Sequence, residues 1–178
     1  MKNLLISYLL FSFCGLINAQ EDSIKWNIEV GIRAKKFAGF YWENGLTGEI
    51  SSESLMQNKL HFGANFTTSI LGTAFLKNAI PTYNIELSAL YYWRIDKQIQ
   101  PLARINGGLA FADYNNAYSS LPSFMPIFSL ETGISYQASE IWRLTLSGGL
   151  NLITGNGVKG IGTVYPIFGQ FSLFYRFK

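Results

Sequence analysis

The end of the chain limits what it can fold into more than any other stretch. From Phe168 the sequence reads FGQFSLFYRFK. Successive side chains of a strand point to opposite faces. Phe171, Leu173, Tyr175 and Phe177 therefore share one face, and Gln170, Ser172, Phe174 and Arg176 the other. One face is large and apolar, the other mostly polar. A water-soluble chain rarely ends on such a stripe, unless a core covers it.

The same period of two recurs along the chain. Segment 24–34 sets Ile24, Trp26, Ile28, Val30 and Ile32 against Lys25, Asn27, Glu29, Gly31 and Arg33. Segments 58–70, 83–95, 101–112, 125–137 and 141–154 alternate likewise, and the last strand is predicted over 163–177. A further strand fits 40–50, with Trp42, Leu46 and Ile50 on the apolar face, although 35–57 also reads as one long loop. Eight strands joined as a meander predict an all-β, antiparallel, up-and-down transmembrane barrel, with the polar face inside and the apolar face in lipid. The strand lengths suit the ~9–11 residues of a tilted spanning strand.

Connection lengths agree with this reading. The turns at 96–99 and 138–140 are short, whereas 113–123 and 155–162 are longer and rich in Asn, Ser, Gly and Pro. Barrels of this kind have short turns on the periplasmic side and longer loops outside. Aromatics should then gather at the two interfaces. Trp26, Tyr91, Trp93, Tyr136, Trp142, Tyr175 and Phe177 are predicted to lie outward at the periplasmic rim, and Trp42, Tyr83, Phe111 and Tyr165 at the other. Segment 71–82 (LGTAFLKNAIPT) reads as an unusually apolar external loop, and Tyr114, Tyr118 and Phe124 flank another.

The N-terminus, MKNLLISYLLFSFCGLINAQ, has a basic start, an apolar run from Leu4 to Ile17, and Ala19 before a polar stretch. It reads as a signal peptide spanning 1–19, with the barrel domain over 20–178. The apolar run is shorter than the ~20 residues of a spanning helix. Phe13 before Cys14 does not fit a lipidation site. Cleavage would remove Cys14, the only cysteine, and leave no disulfide or thiolate chemistry. A net charge of +3 with dispersed basic residues argues against nucleic acid as a partner.

On these features the chain resembles the small eight-stranded outer-membrane barrels of the OmpA/OmpX type. The resemblance implies a bacterial outer-membrane location, lipid as the main partner and a monomeric state. The ending Tyr175-Arg176-Phe177-Lys178 resembles the signal read by the outer-membrane insertion machinery, with Lys178 after the usual aromatic end. Ala19-Gln20 and the pattern of Pro101, Gly107 and Gly108 look like Bacteroidetes proteins, and Asp22-Ser23-Ile24 resembles the O-glycosylation triplet of that phylum.

No constellation in the sequence predicts catalysis, a cofactor or a metal. His61 is the only histidine, its parity points it inward, and His61-Phe62-Gly63 supplies no neighbouring serine. Lipid A deacylases resemble this architecture but use a closely spaced His and Ser. The inward charges are Lys25, Glu29, Arg33, Glu49, Lys59, Glu86, Arg94, Arg104, Glu131, Arg143 and Arg176. An eight-stranded interior is just wide enough to fill with side chains, and buried ions must be paired. Glu29, Arg33, Glu86, Arg104, Glu131 and Arg143 are predicted to form an ionic network that plugs the lumen, with Glu86 and Glu131 as partners for Arg104. The expected role is structural or surface recognition through external loops, with an unknown extracellular ligand. The alternatives are a narrow pore or transporter for a small or hydrophobic solute, and a secreted soluble barrel with its apolar face inside.

Overall fold

A computed structural model of the chain describes residues 25–38, 41–73, 80–113, 124–152 and 167–177. The predicted leader, the Asp22-Ser23-Ile24 triplet and the residues Tyr114, Tyr118 and Tyr165 lie outside them. The described chain forms β1 (Trp26–Phe37), β2 (Tyr41–Leu55), β3 (Leu60–Thr73), β4 (Ile80–Tyr92), β5 (Ile99–Ala112), β6 (Phe124–Gln137), β7 (Trp142–Leu152) and β8 (Ile167–Phe177). Each strand pairs antiparallel with the next, and β8 pairs with β1 from Ile28↔Phe177 to Phe37↔Phe168. The result is a closed eight-stranded up-and-down barrel, a closure that leaves no open edge.

The segment in question at 35–57 is largely strand: β1 continues to Phe37 and β2 runs from Tyr41 to Leu55. The apolar segment 71–82 is strand at both ends, since β3 extends to Thr73 and β4 begins at Ile80. Its Leu71 points inward and packs with Phe37 and Phe168, and residues 74–79 lie outside the described residues. The connections at 56–59, 93–98 and 138–141, together with the start of β1 and the end of β8, occupy one end of the barrel, here called the short-turn end. The other, loop end holds the connections after β1, β3, β5 and β7, of which the first spans only 38–40.

The distribution of polarity is inside out. Large hydrophobics cover the exterior, among them Ile32, Leu46, Ile85, Leu87, Ile105, Leu146 and Phe171, and Leu87 is 71% exposed. The interior holds Glu29, Arg33, Glu49, Asn65, Thr67, Asn106, Arg143 and Ser172. The soluble reading with an apolar interior is therefore overturned. Two small apolar clusters do lie inside, one near each end: Phe37, Leu71 and Phe168 at the loop end, and Leu90, Tyr92 and Leu102, backed by Ile95, at the short-turn end.

Inward glycines let the wall curve tightly. A Cβ on Gly108 would meet the Ile85 carbonyl oxygen and come within 2.6 Å of Glu86 Cα, and one on Gly45 would meet the Thr68 carbonyl. Outward Gly48, by contrast, has nothing within 4 Å of that position. Backbones approach this closely only where no side chain intervenes.

Candidate functional site

Parity sends one side chain in two into the lumen, and strand stagger decides which of them meet. Near the short-turn end, Glu29 on β1 collects two cations. Arg143 on β7 donates from Nε at 2.9 Å and also from Nη2, and Arg176 on β8 donates from Nε at 2.8 Å. Arg143 also reaches Glu49 on β2 at 3.5 Å, the Tyr92 hydroxyl at 3.4 Å, and the face of Phe174 at 4.2 Å. Glu49 in turn accepts from Arg104 Nη2 on both carboxylate oxygens at 3.1 Å. These residues form one continuous ionic network across the lumen.

A second, separate pair lies toward the loop end. Arg33 donates to Glu43 at 2.5 Å, and Ser69 donates to the same carboxylate oxygen at 2.7 Å. Lys35 is buried and holds its ammonium 4.0 Å from the Phe168 ring centre, a cation–π contact on the underside of the apolar cluster. Glu131 is satisfied by neutral donors: Asn106 Nδ2 at 3.0 Å and Ser147 Oγ at 2.8 Å.

The structure thus brings Glu29, Arg104 and Arg143 together through Glu49, with Glu131 beside Arg104 on the neighbouring strand, and places Arg33 and Glu86 elsewhere in the lumen. Arg104 makes no hydrogen bond to Glu86 or Glu131. Arg104 and Glu131 are direct cross-strand neighbours and attract each other through their charges, but the guanidinium hydrogen-bonds Glu49, which offers it both oxygens. Glu86 is buried and makes no hydrogen bond or ion pair among the described residues. Lys25 and Arg94 were expected inside and are exposed, because both fall just beyond the ends of their strands. Lys35 and Glu43 were missed. Continuing the parity two residues past Arg33, and back from Glu49 along β2, finds both.

His61 lies inside, where its Nε2 and the Asn58 carbonyl oxygen are 2.8 Å apart and its ring packs edge-on against Tyr92 at 5.1 Å. It thereby steadies the β2–β3 turn, whose Met56, Gln57 and Asn58 all adopt the left-handed conformation, with φ of 52°, 58° and 64°. Among the described residues no group of three or more His, Cys, Asp or Glu side chains is arranged to hold a metal.

On the outer surface, Trp26, Trp93, Tyr136, Trp142, Tyr175 and Phe177 are all exposed, and all lie at the short-turn end. Register sets Trp142 opposite Tyr175, and the rings of Trp142, Tyr175 and Phe177 form an edge-to-face run with spacings of 5.2 Å. Tyr91 and Trp93 repeat the geometry at 5.3 Å. Such pairs contribute about 0.5–1.5 kcal/mol beyond area burial. At the loop end, Trp42 lies under the Lys36 ammonium at 5.0 Å, and Phe111 packs against Phe124 at 5.2 Å.

No protein-family model matches the sequence, and no curated protein matches it. Solved structures match the fold. The N-terminal β-barrel domain of Pseudomonas aeruginosa OprF aligns with a TM-score of 0.58 at 13% identity, covering 87% of this chain and all of that one. A de novo designed transmembrane β-barrel aligns at 0.50 and 9% identity, covering 85% of this chain and 95% of the design. Neisserial surface protein A aligns at 0.49 and 20% identity, covering 88% and 99%. At these identities the likeness concerns the fold: the closed, eight-stranded, all-antiparallel barrel of this chain matches the β-barrel domain of OprF.

Proposed function

We propose that this chain is an integral protein of a bacterial outer membrane, in which the barrel spans the bilayer with a side-chain-filled interior and presents the loop end outside the cell. The observation that carries this reading is the inversion of polarity, with an aliphatic belt outside, aromatics at its short-turn edge, and paired ions within. Burying every backbone donor and acceptor in a closed ladder is one of the two ways a chain can cross lipid. The leader read at 1–19 would direct export, and the C-terminal strand would be read by the insertion machinery. The interior supports this role: two inward apolar clusters and a cross-lumen ionic network favour recognition or mechanical anchoring at the loop end over conduction.

The test is electrophoresis of the protein from an isolated outer-membrane fraction, with and without boiling. A faster unboiled band is expected from a closed membrane barrel, and a single boiling-independent band from a periplasmic fraction would sink the reading. In planar bilayers the sealed lumen predicts no steady openings. Regular conductance steps would favour the narrow pore instead.

A further inference from the structure

Glu86 sits midway along β4, inside the barrel, 7% exposed and without a hydrogen bond or ion pair among the described residues. A buried carboxylate in that condition is costly unless something compensates its charge. The charged groups within electrostatic reach are Lys35, Arg33, Glu131 and Glu43. Arg33 is already bound to Glu43, and Lys35 is seated on the Phe168 ring. Glu131 adds a further negative charge, hydrogen-bonded by neutral donors and attracted by Arg104 and Lys35.

The polar groups beside Glu86 offer acceptors. Asn65 is its direct neighbour on β3, and Asn106 is the neighbour of Ser88, the next inward residue along β4. Both amides are buried, and the side-chain oxygen of each has no donor. The Asn106 orientation is fixed, because its Nδ2 donates to Ser129 Oγ and to Glu131, each at 3.0 Å. Its oxygen is therefore turned away from β6. A carboxylate without an ion pair, with orphaned amide oxygens on the two neighbouring strands and a second carboxylate within electrostatic reach, is an oxygen donor set whose nearby cations, Lys35 and Arg33, make no ion pair with it.

We propose that Glu86, with the side-chain oxygens of Asn65 and Asn106, binds a small monovalent cation in the middle of the lumen. Hard cations take oxygen ligands of this kind. One unpaired carboxylate balances one positive charge, and calcium sites typically use several carboxylates. The inference rests on the interior alone and holds wherever the barrel resides.

Sodium is the probe. The full chain is refolded in detergent and unfolded in urea while N-methylglucamine chloride is replaced by sodium chloride at constant ionic strength. Ligand binding to the folded state alone raises the folded-to-unfolded ratio in proportion to ligand concentration above the dissociation constant. The native chain should therefore gain about tenfold per decade of sodium, and Glu86→Gln should gain nothing. A native chain indifferent to sodium overturns the site. If Glu86→Gln does not fold, Asn65→Ala decides. It keeps the charge and removes one ligand, so the same rise should begin at sodium concentrations at least about tenfold higher. An unchanged onset in Asn65→Ala overturns the assignment.

Discussion

Glu49 is the only ion-pair partner of Arg104 among the described residues, and it accepts that guanidinium on both oxygens. Removing one member of a buried pair strands the other, at about 3–5 kcal/mol. Glu49→Ala should therefore lower the stability of the refolded barrel by that amount in urea titration. Glu131→Ala leaves Arg104 on Glu49 and breaks no ion pair, losing the Ser147 hydroxyl bond, one bond of Asn106 and a more distant attraction to Arg104, so about 1–3 kcal/mol is expected. Equal losses in the two variants would contradict the observed pairing. That each of these charges points inward was legible in the sequence, because parity alone assigns a face. Which charge meets which was not. Partners such as Arg143 and Glu29 come from strands at opposite ends of the chain, and the stagger that aligns them is a property of the closed barrel.

Alternation made seven of the eight strands readable, because the two faces differ so sharply in chemistry. β2 was harder: outward Asn44 and Gly48 interrupt its apolar face, and its polar face looks like a loop. The turn that follows β2 could not be read at all, since three consecutive non-glycine residues in the left-handed conformation contradict local preference. The walls carry two predictions. Gly108→Ala should cost about 1–3 kcal/mol by overpacking, while Gly48→Ala should stay within about 0.5 kcal/mol, both measured by unfolding in detergent. Leu87 lies midway along β4 and faces outward. In a lipid bilayer Leu87→Arg should cost about 2–4 kcal/mol, and a neutral result there would place this face in water.

As a whole, the molecule carries a small inward apolar cluster near each end of a polar interior. In the sequence these are scattered inward hydrophobics, and only the closed ring of strands brings them together. Seven of the eight strand pairings join neighbours in the chain, whereas β1 and β8 bring its two ends together. Loop-closure entropy makes that seam the contact hardest to reach, and Glu29 spans it by gripping Arg143 and Arg176 at once. This gives the barrel a clock. Until β1 meets β8, the meander exposes two unpaired edges open to other chains, and Glu29 is the catch that ends this exposure. A Glu29→Gln chain should build the same sheet yet take longer to yield the compact electrophoretic band, with the delay spent at the seam.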